Sequence, residues 1–149
     1  MRAIIQRVSR ASVTVNHQQV GSIDKGLLLF LGIHRQDGDK ELAWMVDKVI
    51  NLRIFEDEND KINLSLMDIE GEILVVSQFT LYGDCRKGRR PGFSEAAPPE
   101  QAEGLYQRFI NDVKAKGLTT SSGTFQAMME VSLVNDGPVT LLLDSAKNF

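Results

Sequence analysis

Cysteine and histidine, the residues behind most nucleophilic and metal sites, are nearly absent from this sequence. Cys85 is the only cysteine, and His17 and His34 are the only histidines. No internal disulfide and no multi-cysteine zinc site can therefore form. Both histidines lie in or beside predicted turns without a motif around them, so we expect surface residues and no Ser-His-Asp or Cys-His mechanism. Basic residues flank Cys85, but no partner base is evident, which favours an incidental thiol.

The common cofactor and metal motifs are also missing. The sequence contains no G-x-G-x-x-G, no G-x-x-x-x-G-K-[ST] and no H-E-x-x-H pattern. These motifs bind dinucleotides, nucleoside phosphates and zinc, respectively. We therefore expect a protein that uses no cofactor and no metal ion.

Long apolar runs are missing as well. The longest, Gly26 to Ile33, is far shorter than the roughly 20 residues of a membrane-spanning helix. The opening residues, MRAIIQRVSR, have neither the apolar core nor the cleavage site of a signal peptide. We expect a cytoplasmic protein with no membrane partner.

An excess of positive charge is absent, since the net charge is −3. A general nucleic-acid-binding surface is therefore disfavoured, and no DNA partner is expected. One local exception stands out, where four basic residues fall within five positions: Arg86, Lys87, Arg89 and Arg90. This cluster is either a local binding patch or a solvated loop that is basic by accident.

What the sequence does contain is a set of strands with two helices between them. The length of 149 residues fits one domain, residues 1 to 149. Strand patterns cover the start of the chain, the continuous apolar run from Gly26 to Ile33, a short RIF segment, and a buried strand from Glu72 to about Phe79. The last strands lie near the C-terminus, joined by a predicted hairpin turn at NDGPVT.

The two helices follow from apolar residues at helical spacing. Leu42, Met45, Val46, Val49 and Ile50 form one stripe, and either Asp37 or Asp39 is predicted to cap that helix. Leu105, Phe109 and Val113 mark a second helix, which starts near Pro98 or Pro99 and ends at Gly117. The helices do not alternate regularly with strands. We therefore predict an α+β domain, a mostly antiparallel or mixed sheet curled into a barrel-like core with two main helices outside.

Two polar segments interrupt the apolar strands. One is Ser77-Gln78-Phe79-Thr80, and the other is Asn135-Asp-Gly-Pro-Val-Thr140, in which a proline sits within a strand pattern. Each alone is explained by local backbone hydrogen bonding. Together, and with QRVSRASVTV, LLLFLGI, RIF and RPGFS, they resemble the D-aminoacyl-tRNA deacylase family over nearly the whole chain.

The resemblance implies an enzyme that hydrolyses the ester of D-aminoacyl-tRNA and works as a homodimer with its active site at the subunit interface. It implies that Gly137-Pro138 has a cis peptide bond and acts as a chirality filter, rejecting L-amino acids through main-chain oxygens. It also implies an active-site wall that stabilises an oxyanion, phosphate contacts from the basic cluster, and a secondary activity on glycyl-tRNA(Ala). The residues concerned are Ser77, Gln78, Phe79 and Thr80 for catalysis, Arg7, Asn135, Val139 and Thr140 for support of the filter, and Arg86, Lys87, Arg89 and Arg90 for tRNA binding.

Two catalytic routes are consistent with that resemblance. In the favoured one, the 2′-hydroxyl of the terminal adenosine activates water while the protein supplies position and oxyanion stabilisation. In the other, Thr80 is the nucleophile, although no base is evident to activate it. A threonine hydrolase of small esters and a non-catalytic RNA-binding module are the alternative functions.

Overall fold

A computed structural model describes all residues from 1 to 149. The chain forms eight strands, two α-helices and one short 3₁₀ turn. In chain order these are β1 (Arg2–Val15), β2 (Gln18–Ile23), β3 (Gly26–Gly32), α1 (Asp39–Asn51), β4 (Phe55–Glu56), β5 (Ile62–Leu64), β6 (Glu72–Ser77), the 3₁₀ turn (Phe79–Tyr82), α2 (Pro99–Ala115), β7 (Thr120–Ser122) and β8 (Glu130–Asp144).

The main sheet is mixed and nearly closes on itself. The first half of β1 pairs antiparallel with β3, its second half pairs antiparallel with β2, and β6 joins β3 and β7 in parallel. Between β7 and β2, the Ser121 hydroxyl donates to the Ser22 carbonyl at 3.0 Å. Gly21 permits this approach, because a Cβ there would lie 2.6 Å from the Ser122 oxygen. The predicted barrel-like sheet with two helices is confirmed.

Two cores explain why the apolar run of β3 is continuous. Leu28 faces the barrel interior, where it packs with Leu74 of β6. Its neighbours Leu27 and Leu29 face the larger core between the sheet and the helices. A strand covered on both faces needs apolar residues at every position, as the sequence predicted.

Both helices bury the stripes predicted for them. The five apolar residues of α1 and the three of α2 are all buried. The predicted cap of α1 is wrong: Gly38 occupies the cap position, and its N–H donates to the Glu41 carboxylate at 2.9 Å. Asp37 is not free to cap, because it accepts from the His34 N–H at 2.6 Å and from the Met1 amine at 2.7 Å.

The predicted hairpin at NDGPVT is wrong. Residues 130 to 144 form one strand, β8, which pairs antiparallel with β1 along its whole length. The chain does not reverse. Val8 pairs with Asn135 and Gln6 with Thr140, so the four residues 136 to 139 lie opposite Arg7 alone. Turn-forming residues serve here to build a wide bulge, named the Gly-Pro bulge below.

Two further boundaries differ from the predictions. The strand expected to reach Phe79 ends at Ser77, and the chain then forms the 3₁₀ turn. The RIF strand is shifted to Phe55–Glu56 and pairs with β5 in a separate two-stranded sheet. No helix of the structure is long and apolar enough to cross a membrane.

Candidate active site

The 3₁₀ turn Phe79–Tyr82 is built where β6 leaves the core. The Gln78 N–H donates to the Leu31 carbonyl at 2.8 Å, which continues the β3–β6 pairing for one residue beyond Ser77. The turn's own hydrogen bonds begin with the Leu81 N–H, which donates to the Gln78 carbonyl at 3.2 Å. The first amides of a helix have no acceptor within it. The Phe79 and Thr80 amides thus lack a partner inside the turn.

The side chain of Thr80 is engaged by an amide and not by a base. Gln78 Nε2 donates to Thr80 Oγ1, and both residues lie at the surface. No carboxylate or imidazole hydrogen-bonds to this hydroxyl. A threonine needs an adjacent general base to become a strong nucleophile, and this contact does not provide one.

The Gly-Pro bulge is braced by Arg7. This arginine is buried; its Nε donates to the Asp136 carbonyl at 2.7 Å and its Nη1 to the Ile54 carbonyl at 2.8 Å. The Glu56 and Asp136 carboxylates lie farther from it, each at 3.9 Å. A planar guanidinium can bind two backbone segments at once, and here it fastens the bulge to the segment that precedes β4.

Asn135 closes the bulge from within. Its side-chain oxygen accepts from the Val139 N–H at 2.8 Å, and its Nδ2 donates to the Val139 carbonyl at 3.1 Å and to Thr140 Oγ1 at 3.1 Å. The Gly137-Pro138 peptide bond is cis. Gly137 has φ +151°, and a Cβ there would lie 2.7 Å from the Val139 nitrogen. Only glycine fits this backbone without displacement.

The turn and the bulge do not face each other within one chain. The turn follows β6 at the level of Leu31, which pairs with Ala3, whereas the bulge lies opposite Arg7 on the other edge of β1. Four residues of β1 separate these levels, about 14 Å at roughly 3.4 Å per residue. The structure therefore brings together each group of predicted site residues, but it leaves the two groups apart.

The basic loop, residues 83 to 98, follows the turn directly. Asp84 and Gly92 exchange backbone hydrogen bonds of 2.7 and 3.0 Å, which close its tip. Arg86 donates twice to the Asp84 carboxylate, at 2.8 Å each, and these bonds hold the pKa of that carboxyl well below its usual range. Lys87, Arg89 and Arg90 are exposed and form no ion pair.

The two histidines differ. His17 is exposed in the β1–β2 turn, as predicted. His34 is partly buried, contrary to the prediction of a surface residue: its Nε2 pairs with Glu95 at 2.8 Å and its Nδ1 accepts from the Gln36 N–H at 3.1 Å. The hydrogen bond from His34 lowers the pKa of Glu95. His34 therefore fastens the basic loop to the end of β3.

Sequence reasoning missed two residues of the bulge. Gln6 donates to Thr140 Oγ1 at 3.2 Å, and the Asp136 carbonyl accepts from Arg7. The signal for Gln6 was its place beside Arg7 in an otherwise apolar strand. No group of three or more histidine, cysteine, aspartate or glutamate side chains is arranged to hold a metal ion.

Known proteins with a similar sequence or fold agree on one family. The family model described as D-Tyr-tRNA(Tyr) deacylase matches residues 4 to 144. Proteins named D-aminoacyl-tRNA deacylase from Clostridioides difficile and Thermotoga petrophila are 62% and 58% identical, in each case over all of both chains.

Among solved structures, one titled c-Myc DNA Unwinding Element Binding Protein has a TM-score of 0.91 at 47% identity, covering 97% of this chain and 98% of that one. Another, titled as a probable eukaryotic D-amino acid tRNA deacylase, has a TM-score of 0.81 at 22% identity, covering 95% and 97%. The second supports the fold alone.

The fold and the matched residues define a class of hydrolases that act on the ester bond of aminoacyl-tRNA. The chain belongs to the D-aminoacyl-tRNA deacylase family. The predicted family and the prediction of a hydrolase are thereby confirmed.

Proposed function

We propose that this protein hydrolyses D-aminoacyl-tRNA to free D-amino acid and tRNA, as one domain of 149 residues in the cytoplasm. The observation that carries the proposal is the full-length match to relatives named D-aminoacyl-tRNA deacylase. The turn and the bulge supply the chemistry: one offers free amides and the other a rigid, glycine-dependent backbone. The 47% identical protein titled as a DNA-unwinding-element binder fits less well, since the net charge of −3 gives no general nucleic-acid surface.

The turn stabilises the oxyanion of the reaction. The Phe79 amide, aided by that of Thr80, donates to the oxygen on which negative charge develops as water attacks the ester carbonyl. Backbone donors fixed before the reaction need no reorganisation during it, and removal of one such donor typically costs about 10²–10³ in kcat. Gln78 positions the acyl group or the terminal adenosine, and Ser77 ends the strand that fixes this turn.

The attacking water is activated by the tRNA. The 2′-hydroxyl of the terminal adenosine is adjacent to the 3′-ester and can hydrogen-bond the water, whereas Thr80 Oγ1 contacts only the Gln78 amide. The protein contributes position and charge stabilisation, which together account for large rate effects without a protein base.

The Gly-Pro bulge is the chirality filter. Main-chain oxygens around Gly137 and Pro138 lie against the α-carbon of the substrate, where an L side chain collides and a D side chain points away. Arg7, Asn135, Val139 and Thr140 hold this backbone through the hydrogen bonds described above. Glycine has no side chain to exclude, so glycyl-tRNA(Ala) is a second substrate.

The active site is shared between two subunits of a homodimer. A filter about 14 Å from the turn along β1 cannot act on a substrate at the turn of its own chain. A second chain that presents its Gly-Pro bulge to the Ser77–Thr80 wall completes the pocket, and such a symmetric exchange gives two equal sites.

One assay separates this function from its alternatives. Purified protein is incubated with D-Tyr-tRNA, L-Tyr-tRNA and a small D-tyrosine ester, and release of tyrosine is followed. Only D-Tyr-tRNA is expected to be hydrolysed. Hydrolysis of the small ester would instead indicate a Thr80 hydrolase, and stable binding of all tRNAs without hydrolysis would indicate an RNA-binding module.

The basic loop contributes affinity for tRNA phosphates without affecting chirality. The triple variant Lys87→Gln, Arg89→Gln, Arg90→Gln is expected to raise KM for several D-aminoacyl-tRNAs and to leave the D/L ratio unchanged. Loss of three contacts flattens the slope of log KM against log salt by about 2, at roughly 0.7 per charge. Arg86 matters less, because Asp84 already neutralises it.

A matched control removes the same charge elsewhere. Lys25, Lys61 and Lys116 are exposed and form no ion pair, so their replacement by glutamine changes the net charge equally. If both triple variants raise KM alike, or if neither does, the basic loop has no specific role in tRNA binding.

A further inference from the structure

Two exposed phenylalanines contact each other beside the candidate active site. Phe79 is 55% exposed and Phe93 is 39% exposed. Their rings are 5.1 Å apart and meet edge to face at 66°. Scattered exposed apolar residues need no explanation, but two large aromatic rings in contact at a surface point to a ligand that covers them.

The backbone holds this pair in place. Phe79 is the first residue of the 3₁₀ turn, and Phe93 follows the closed tip of the basic loop. Gly83 lets them meet: a Cβ there would lie 3.1 Å from Phe93 Cε1 and 3.0 Å from the Thr80 oxygen. The Phe93 ring is therefore seated against the turn that carries the catalytic amides.

Positive charge lies next to the pair. Lys87, Arg89 and Arg90 belong to the same loop, are exposed and have no acidic partner. Aromatic rings beside unpaired cations are the pattern by which proteins bind single-stranded nucleic acid: bases stack on the rings while the cations follow the phosphates.

We propose that the Phe79–Phe93 pair stacks the base of the unpaired nucleotide that precedes the terminal adenosine of the tRNA. This inference rests on the proposed function. The terminal adenosine carries the ester and must lie at the turn amides, so the preceding nucleotides run toward the basic loop and pass Phe93. Stacking tolerates any base, which suits an enzyme that accepts different tRNAs.

A second copy of this chain is a poorer occupant of the same surface. In a symmetric dimer contact a patch faces its own copy. Six uncompensated cations would then gather around the rings, three from each chain. A polyanion matches this surface in charge, whereas a second copy does not.

The test compares Phe93→Leu with wild type on two substrates. One is a D-tyrosylated RNA minihelix that ends in CCA, and the other is D-tyrosyl adenosine, which lacks the preceding nucleotides. Leucine keeps apolar volume but has no flat face. On the minihelix, KM is expected to rise about tenfold with kcat unchanged. On D-tyrosyl adenosine no change is expected, and Phe93→Tyr is expected to restore the wild-type KM.

Two further measurements identify what covers the pair. A minihelix with an abasic penultimate nucleotide is expected to show the same raised KM with wild type and with Phe93→Leu, because the two changes remove one contact. Ile62→Ala removes another exposed apolar side chain, on β5, and is expected to change neither KM.

Several results would overturn the inference while leaving the proposed function intact. They are an unchanged minihelix KM, an equal rise on both substrates, and a loss of the dimer of Phe93→Leu in sedimentation. Failure of the wild-type protein to hydrolyse either D-tyrosyl substrate would instead overturn the proposed function itself.

Discussion

D-Tyr-tRNA whose terminal adenosine lacks the 2′-hydroxyl is expected to be deacylated about 10³-fold more slowly than the natural substrate, within the range typical of a lost proton-transfer partner. Thr80→Ala is expected to keep its kcat within about tenfold of wild type. The reason is structural: Thr80 Oγ1 contacts the Gln78 amide and no base, so its loss removes a hydrogen bond and not a nucleophile.

Single-turnover rates measured with enzyme in excess separate this chemistry from tRNA binding. The deoxy substrate must first be shown to bind as tightly as the natural one, for instance by competition. Thr80→Ser serves as the conservative control and is expected to match wild type. An inactive Thr80→Ala enzyme together with rapid hydrolysis of the deoxy substrate would establish Thr80 as the nucleophile and overturn the RNA-assisted route.

Gly137→Ala is expected to lower kcat/KM for D-Tyr-tRNA by about 10²-fold, the size of effect produced by a displacement of about 1 Å in a positioning element. Gly137 has φ +151°, and an added Cβ would lie 2.7 Å from the Val139 nitrogen and 3.3 Å from Arg7 Nη2. Arg7 cannot move away, because it is buried and donates to two carbonyls. The backbone of the bulge must shift instead.

The variant's residual activity should also be less selective, since the proposed filter consists of that same backbone. The ratio of rates on D-Tyr-tRNA and L-Tyr-tRNA measures this. Gly104→Ala is the matched control: Gly104 lies in α2 with no atom within 4 Å of an added Cβ, so full activity and slightly higher stability are expected. Wild-type rates and wild-type selectivity in Gly137→Ala would remove the bulge from the mechanism.

Much of the fold could be predicted because burial writes its own period into the sequence. The stripe from Leu42 to Ile50 and the continuous run in β3 each correspond to one burial pattern, and both predictions are confirmed. Boundaries were less certain. Asp37 and Asp39 are both plausible caps, and only the three-dimensional contact with the Met1 amine removed Asp37 from that position.

The bulge shows where local chemistry misleads. Asn-Asp-Gly-Pro is a strong turn signal, because glycine and asparagine tolerate unusual φ values and proline cannot donate to a sheet. A reversal and a bulge need the same residues. What decides between them is the partner strand: β1 is long enough to pair with both sides of the interruption, and Arg7 fills the space opposite it.

By itself, the sequence determined the strand and helix pattern, the absence of thiol and histidine chemistry, and, through two short motifs in the right order, the family. Only the tertiary structure decided how those motifs are used. It left the turn and the bulge apart on either side of β1, paired Thr80 with an amide, neutralised Arg86, and set Phe93 against Phe79. The physical reason is that composition and periodicity report burial, which is a property of each residue. Pairing across strands and loops depends on which distant residues the closed sheet brings into contact.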